Sequence, residues 1–199
     1  MHLHNDKEAF EELIIGASYP SIYDNSPFLK QELVLETYVA LLPFPTVTRM
    51  VDNYLYRFLK KIDRLDITEQ YDLMPFPITT QTMERTLVDK VFAICDYYLD
   101  GKTEKHSRHL YDIHKIYTNM EIPEDFGSLI ASVRSLRSEL AVCPSAKDGV
   151  EINQVLQEIV DMDAYKNDYE EITSGLLFAP LKYDEVITSI AKIINLHLF

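Results

Sequence analysis

Three charged side chains, Lys90, Arg108 and Asp112, have the types and spacing of a site for a phosphorylated ligand. Lys90 lies in a segment predicted to be helical. Arg108 and Asp112 lie four residues apart in the next such segment, so they share one helix face and could meet Lys90 across the pair of helices. A lysine ammonium binds phosphate as a point charge. The ordinary alternative is a lysine with a packed stem beside an intrahelical ion pair, and spacing alone leaves both interpretations open.

The composition limits the class of protein. The 199 residues include 19 basic and 32 acidic side chains, a formal net charge of −13. The negative charge argues against a broad basic surface for nucleic-acid backbone, because such binding neutralises phosphates with Lys and Arg, and it leaves a local basic pocket open. No apolar run of about 18 residues is present and the first residues are too polar for a signal peptide, so we expect a cytoplasmic protein. Cys95 and Cys143 are isolated and should be reduced and buried.

Other patterns that often carry chemistry do not form a site here. His109 and His114 fall on different helix faces, and with His106 they match no zinc motif, so we interpret all three as structural or surface residues. Asp161 and Asp163 have the spacing of an acidic metal pair but lack a preceding Gly-Ser turn, and are interpreted as a helix-end cluster. None of the five glycines belongs to a phosphate-binding loop.

Periodicity and chain breakers predict an α+β chain that is predominantly helical, with few strands followed by a helical bundle. In the first half we predict, in order, a helix over Asn5–Ile15, a strand over Leu29–Leu42, a helix from Thr46 or Thr48 to Ile62, and an edge strand over Phe76–Gln81. In the second half we predict helices over Met83–Leu99 with Thr82 as cap, Arg108–Met120 with Ser107 as cap, Asp125–Val142, Val150–Met162, Tyr165–Ser174 and Tyr183–Phe199.

The segment between residues 84 and 112 resembles a known family. Glu84-Arg85-Thr86 leading to Asp89-Lys90, followed by Ser107-Arg108-His109 and Tyr111-Asp112, is similar to the AbiEii/AbiGii nucleotidyltransferase toxins of abortive-infection toxin–antitoxin systems. The similarity extends more weakly towards both ends of the chain. It implies a polymerase β-like nucleotidyltransferase, with a partial α+β part over residues 1–82 and a helical domain over residues 83–199.

The resemblance also assigns roles to residues. It implies that Lys90 engages the nucleoside triphosphate and that Asp112 is a catalytic acidic residue that orients Lys90. Arg85 and Arg108 resemble flanking nucleotide-binding residues. Glu36 is a weaker match to a catalytic, metal-binding carboxylate, and an exposed strand residue is the alternative at that position.

The chain departs from the family pattern at its front. Family members resemble polymerase β in carrying, before this region, a Gly-Ser or Gly-Gly turn with an acidic pair that holds divalent metal. The part of this sequence before residue 84 lacks that arrangement. The resemblance therefore implies a truncated nucleotidyltransferase with little or no activity alone. Intact relatives would transfer a nucleoside monophosphate from an NTP, with Mg²⁺, to RNA or protein, and would have an antitoxin partner.

A function from a different class is also consistent with the sequence. The long helical half could form a non-catalytic interaction module that binds an antitoxin-like protein or a second copy of the chain. The hypothesis rests on five aromatic positions: Phe126, Tyr165, Tyr169, Phe178 and Phe199. The nucleotide hypothesis gains if Lys90, Arg108 and Asp112 converge in an open cleft near Glu36, and the interaction hypothesis gains if they lie on separate solvent-facing sides.

Overall fold

The computed structural model describes residues 12–20, 31–38 and 45–199, and shows two small antiparallel sheets beside a larger helical part. The protein is therefore α+β and predominantly helical, as predicted. Within these described ranges, no helix combines the length and apolar character that a bilayer crossing requires.

The first sheet is a hairpin of β1 (Glu12–Ser18) and β2 (Glu32–Tyr38), with Ile14 opposite Glu36. The predicted strand is confirmed over residues 32–38, while residues 29–30 and 39–42 lie outside the described residues. The predicted helix over Asn5–Ile15 is wrong over residues 12–15, which form strand, and residues 5–11 lie outside the described residues. A short apolar run fits a helix face or a strand, and pairing with β2 decides between them.

The second sheet pairs β3 (Thr46–Val51) with β4 (Phe76–Gln81), so the predicted edge strand is confirmed. A helix beginning at Thr46 or Thr48 was the wrong prediction for this segment. Its threonines and valines favour an extended chain, and the partner strand lies more than twenty residues later in the sequence.

Two helices connect β3 to β4. Helix α1 (Tyr54–Lys61) begins after Asn53, whose side chain accepts a 2.7 Å hydrogen bond from the Tyr56 amide. Helix α2 (Leu65–Gln70) follows. The predicted end of the helix at Ile62 is thus close to the observed end, whereas its observed start at Tyr54 is eight residues after Thr46 and six after Thr48.

Helix α3 (Met83–Leu99) follows the sequence prediction at both ends. Thr82 is its N-cap, with the hydroxyl accepting from the Arg85 amide at 3.3 Å. Beyond its end, Gly101 adopts a positive φ of 69°, the left-handed conformation that glycine takes most easily. Local signals alone therefore define this helix.

Four of the remaining predicted helices are shorter than their predicted ranges, and the fifth, Tyr165–Ser174, is divided into three short elements that end at Leu176. In chain order they are α4 (Arg108–Tyr117), α5 (Phe126–Ser138), a 3₁₀ turn (Pro144–Ala146), α6 (Ile152–Asp161), α7 (Lys166–Asp168), a π-helical turn (Tyr169–Thr173), α8 (Ser174–Leu176) and α9 (Tyr183–Asn195). Helix α3 contacts α4, α5, α6 and the 3₁₀ turn, and α9 packs on α4 and α6, so α3 lies at the centre of the helical part.

Both cysteines are buried free thiols, as predicted.

Most of the aromatic side chains on which the interaction hypothesis rests are buried in the core. Phe126, Tyr165 and Tyr169 belong to the core, and Phe199 packs edge-on against Phe126, whereas Phe178 is exposed. Most of these aromatics therefore stabilise the fold and do not form a free surface.

A charged network ties α3 to α5 and to the 3₁₀ turn. The Asp96 carboxylate accepts 2.7 Å and 2.6 Å hydrogen bonds from the Arg137 guanidinium and the Ser145 hydroxyl, and also bonds the Ser145 amide. Arg137 lies 3.4 Å from Asp89, which also accepts from Arg85 at 3.0 Å. Removing one partner from such a pair leaves the other charge buried and unpaired, which costs far more than an exposed pair contributes.

Replacing Asp96 with Ala should lower the free energy of unfolding by about 3 kcal/mol, because Arg137 then stays buried without its closest carboxylate. Urea denaturation measures this change. The matched control is Asp66→Ala, which removes the aspartate of the exposed Arg64–Asp66 pair and should leave the midpoint nearly unchanged. Equal effects of the two substitutions would contradict a structural role for the network.

Candidate functional site

Lys90 and Asp112 meet across the packed pair of α3 and α4. The Lys90 ammonium lies 2.8 Å from Asp112 Oδ2, and both side chains remain partly exposed, at 29% and 36%. Exposed ion pairs of this kind contribute roughly 0.2–1 kcal/mol, so an incoming anion can compete for the ammonium. The contact therefore places a solvent-accessible cation in a defined position.

Asp112 pairs with Lys90 rather than with Arg108, although Arg108 lies one turn away on its own helix. The exposed Arg108 guanidinium instead donates a 3.1 Å hydrogen bond to the Lys105 carbonyl. Of the two partners that the sequence allowed for Asp112, the packing of α3 on α4 selects the one on the neighbouring helix.

His109 is a second partner of Lys90, and sequence reasoning assigned it no functional role. Its Nδ1 lies 3.2 Å from Lys90 Nζ. Burial, together with the nearby charges of Lys90 and Arg108, lowers the pKa of His109 to about 4, so the ring is neutral at pH 7. An ammonium can only donate, so Nδ1 accepts the hydrogen bond from Lys90 and the neutral ring carries its own hydrogen on Nε2. The 3.9 Å separation from Asp112 is consequently not an ion pair at that pH.

Parallel rings hold His109 in place. Tyr97, two turns after Lys90 on α3, stacks on His106 with centroids 3.5 Å apart and planes 12° from parallel. Tyr97 is also nearly parallel to His109, at 4° and 5.7 Å. The three rings thus pack together between α3 and the start of α4, and His109 is the ring that contacts the Lys90 ammonium.

The loop that leads into α4 is fixed by Asp168, far away in the sequence. Its carboxylate accepts from the backbone amides of Lys105 at 2.6 Å and Ser107 at 3.0 Å. Burial alone would raise the pKa of Asp168, but these hydrogen bonds outweigh it and keep the pKa below its usual value. Ser107 occupies the predicted cap position, yet its hydroxyl bonds Thr173 at 2.7 Å rather than capping the helix.

Two other candidates from the sequence have surroundings of a different kind. Arg85 is 3% exposed and bonds Asp89 as part of the buried network. Glu36 is exposed on β2, opposite Ile14. The structure thus joins Lys90 to Asp112, with Arg108 at the start of the same helix, and gives Arg85 a buried structural contact.

The described residues bring no cluster of metal-ligating side chains together. Over residues 12–20, 31–38 and 45–199 there is no group of three or more His, Cys, Asp or Glu side chains that could hold an ion. Asp112 and Asp89 each face a cationic side chain, and Asp163 lies 3.2 Å from Lys166. No catalytic step through a metal follows from these residues.

The sequence profile of the nucleotidyl transferase AbiEii toxin family, a type IV toxin–antitoxin system, matches residues 11–189. The match covers most of the 199 residues, including both helices of the candidate site. The chain belongs to the AbiEii nucleotidyltransferase toxin family. No curated protein and no solved structure matches it.

Membership confirms the resemblance found in the sequence. Nucleotidyltransferases of this kind in general use an NTP and a divalent metal, and a type IV toxin–antitoxin family in general implies an antitoxin partner. In this AbiEii-family chain, the lysine and aspartate of the resembling segments are the two side chains that meet between α3 and α4.

Replacing His109 with Phe should reduce the loss of stability in acid. Since the pKa of His109 is about 4 in the folded chain and near 6.5 when unfolded, the unfolded chain binds the extra proton between these values. The stabilisation is therefore complete above pH 6.5 and is lost as the pH falls towards 4. Between pH 7.5 and 4.5, the unfolding free energy of the variant should fall by about 2 kcal/mol less than that of the wild type in urea titrations.

The exposed His197 provides the control for this experiment. His197→Phe should follow the wild-type pH dependence of stability. If the His109 variant also followed it, the neutral state assigned to His109 would be wrong.

Proposed function

We propose that this chain binds the triphosphate of a nucleotide through Lys90, with Asp112 holding the ammonium in place. The observation that carries the proposal is the 2.8 Å contact between side chains of two different helices, both of them partly exposed. Such an ammonium can donate to a phosphate oxygen while Asp112 keeps it from moving freely in solvent. The site would lie within residues 83–199.

Charge favours an anionic ligand at this position. The protein has a formal net charge of −13, yet α4 begins with the exposed Arg108, Lys105 lies in the preceding loop, and the charges of Lys90 and Arg108 both act on His109. A triphosphate would meet cationic side chains here before it met the acidic remainder of the surface. Arg108 is accordingly proposed as a second phosphate contact.

The reaction we propose for the intact site is transfer of a nucleoside monophosphate from an NTP to RNA or protein. Such a transfer depends mainly on positioning and on neutralising charge. The chain's own residues would hold the nucleotide. Because the 199 residues include no Gly-Ser turn followed by an acidic pair, we propose that they catalyse little transfer without further carboxylates.

Substituting Lys90 with Met should weaken binding of a fluorescent ATP analogue at least tenfold, because a charge-assisted contact to phosphate is lost. Fluorescence titration with Mg²⁺ present measures the dissociation constant. Lys102→Met is the matched control, since Lys102 also pairs with an aspartate, Asp100, at 3.0 Å. Equal affinity of the Lys90 variant and the control protein would exclude Lys90 as the phosphate contact.

Incubation of the 199-residue chain with labelled NTPs, Mg²⁺ and cellular RNA should produce little or no labelled RNA or protein. The outcome to compare is the label incorporated by wild type and by Lys90→Met. Strong incorporation that disappears in the variant would overturn the proposal of low activity, while it would support the assignment of Lys90.

A non-catalytic interaction module is the second candidate function. One observation favours it: the β3–α1–α2–β4 segment exposes large apolar side chains, including Met50, Tyr54, Phe58 and Tyr71, at 57–87%. Exposed apolar surface of this kind is typical of protein contacts. Failure of the chain to bind nucleotide, together with self-association in sedimentation equilibrium, would favour this function over nucleotide transfer.

A further inference from the structure

We propose that His109 is a positioning residue for Lys90, which holds the ammonium in the direction needed for phosphate contact. The inference rests on the proposed nucleotide-binding function and adds to it the residue that orients the cation. This histidine belongs to the segment that resembles the family, but neither the zinc motifs nor the acidic patterns of the sequence assign it a role.

Geometry supports the role. Lys90 Nζ lies 3.2 Å from His109 Nδ1 and 2.8 Å from Asp112 Oδ2, and these two acceptors are 3.9 Å apart. They lie three residues apart and therefore face one side of α4. A lysine ammonium carries three N–H donors, of which these contacts occupy two. The third is left for a ligand, and the lysine side chain is 29% exposed.

A neutral second acceptor suits a site for a triphosphate. With Asp112 alone, the ammonium could rotate around a single ion-pair contact. A second carboxylate at position 109 would fix the direction but would add negative charge that repels the ligand. Neutral imidazole supplies the direction without that charge.

The surroundings of His109 fix both its orientation and its tautomer. Tyr97 and His106 lie nearly parallel to the ring, so rotating it would disrupt the packing of the three rings. Lys90, as a donor, requires the lone pair of Nδ1 and so places the ring hydrogen on Nε2.

The titratable and charged groups facing the ring come from both helices and the loop between them. They are Lys90 and Tyr97 on α3, His106 in the loop, and Arg108 and Asp112 on α4. Burial and the two cations keep the pKa of His109 near 4, so its role as acceptor should be constant between pH 5 and 8.

The first test needs no nucleotide. Long-range ¹H–¹⁵N NMR of histidine-labelled protein should show His109 as the neutral Nε2–H tautomer throughout pH 5 to 8. In Lys90→Met, the loss of the neighbouring cation should raise the pKa of His109 and weaken the tautomer preference. An Nδ1–H tautomer in the wild type, or a spectrum unaffected by the Lys90 substitution, would overturn the positioning role.

The second test replaces His109 with two amide side chains of different length and with one aromatic side chain. The Asn oxygen in His109→Asn can occupy the place of Nδ1, whereas the Gln amide in His109→Gln extends towards the place of Nε2. His109→Phe retains a ring for stacking but has no acceptor. We expect His109→Asn to bind a fluorescent ATP analogue close to wild-type affinity, and the Gln and Phe variants to bind about tenfold more weakly.

The two tests separate this inference from the function on which it rests. The expected tautomer in a wild type that binds no nucleotide would support the Lys90–His109 contact and refute the nucleotide function. Binding that depends on Lys90 but is equal in all three His109 variants would retain the function and overturn the positioning role. A variant that fails to fold leaves the wild-type NMR measurement decisive.

Discussion

The high cost of burying an unpaired charge constrains how the central helix α3 packs. Helix α3 packs against four other elements, yet it carries charged side chains at positions 85, 89, 90 and 96. Each has a partner of opposite charge: Arg85 with Asp89, Asp89 and Asp96 with Arg137, and Lys90 with Asp112. Asp112 on α4 and Arg137 on α5 supply partners from other helices, whereas the Arg85–Asp89 pair lies within α3 itself, so charge is buried in this helix only together with its partner.

The same helix separates two environments. Towards α5 and the 3₁₀ turn, Asp96 is nearly buried and its oxygens are occupied by Arg137 and Ser145, which makes that network structural. Towards α4, Lys90 is partly exposed and its two partners leave one donor unused. A buried charged network thus anchors the helix that presents the accessible cation, and the proposed nucleotide site depends on that anchoring.

Local signals predicted part of this structure from sequence. Thr82 as cap, Gly101 after the last turn and the apolar periodicity between them define α3 without tertiary information. Local signals predicted a helix for the segment after Thr46, and this prediction was wrong because the segment forms a strand by pairing with residues 76–81. The periodicity of a short segment does not indicate whether a distant strand will pair with it.

In the candidate site, too, the sequence identified some residues, but only the structure showed which of them are in contact. The resemblance identified Lys90 and Asp112, but spacing alone allowed Asp112 to pair with Arg108 on its own helix, and only the packing of α3 on α4 decided the pair. His109 was missed because its significance depends on a contact nineteen residues away. Asp168 was missed as a site element because it fixes the loop before α4 from 61 residues beyond Ser107.

The most direct measurement is a crystal structure of the chain with a non-hydrolysable ATP analogue and Mg²⁺. Nucleotide binding between α3 and α4 predicts a triphosphate oxygen within hydrogen-bond distance of Lys90 Nζ, with the His109 and Asp112 contacts retained. A triphosphate bound elsewhere, with the Lys90–Asp112 pair unchanged and facing only solvent, would contradict it.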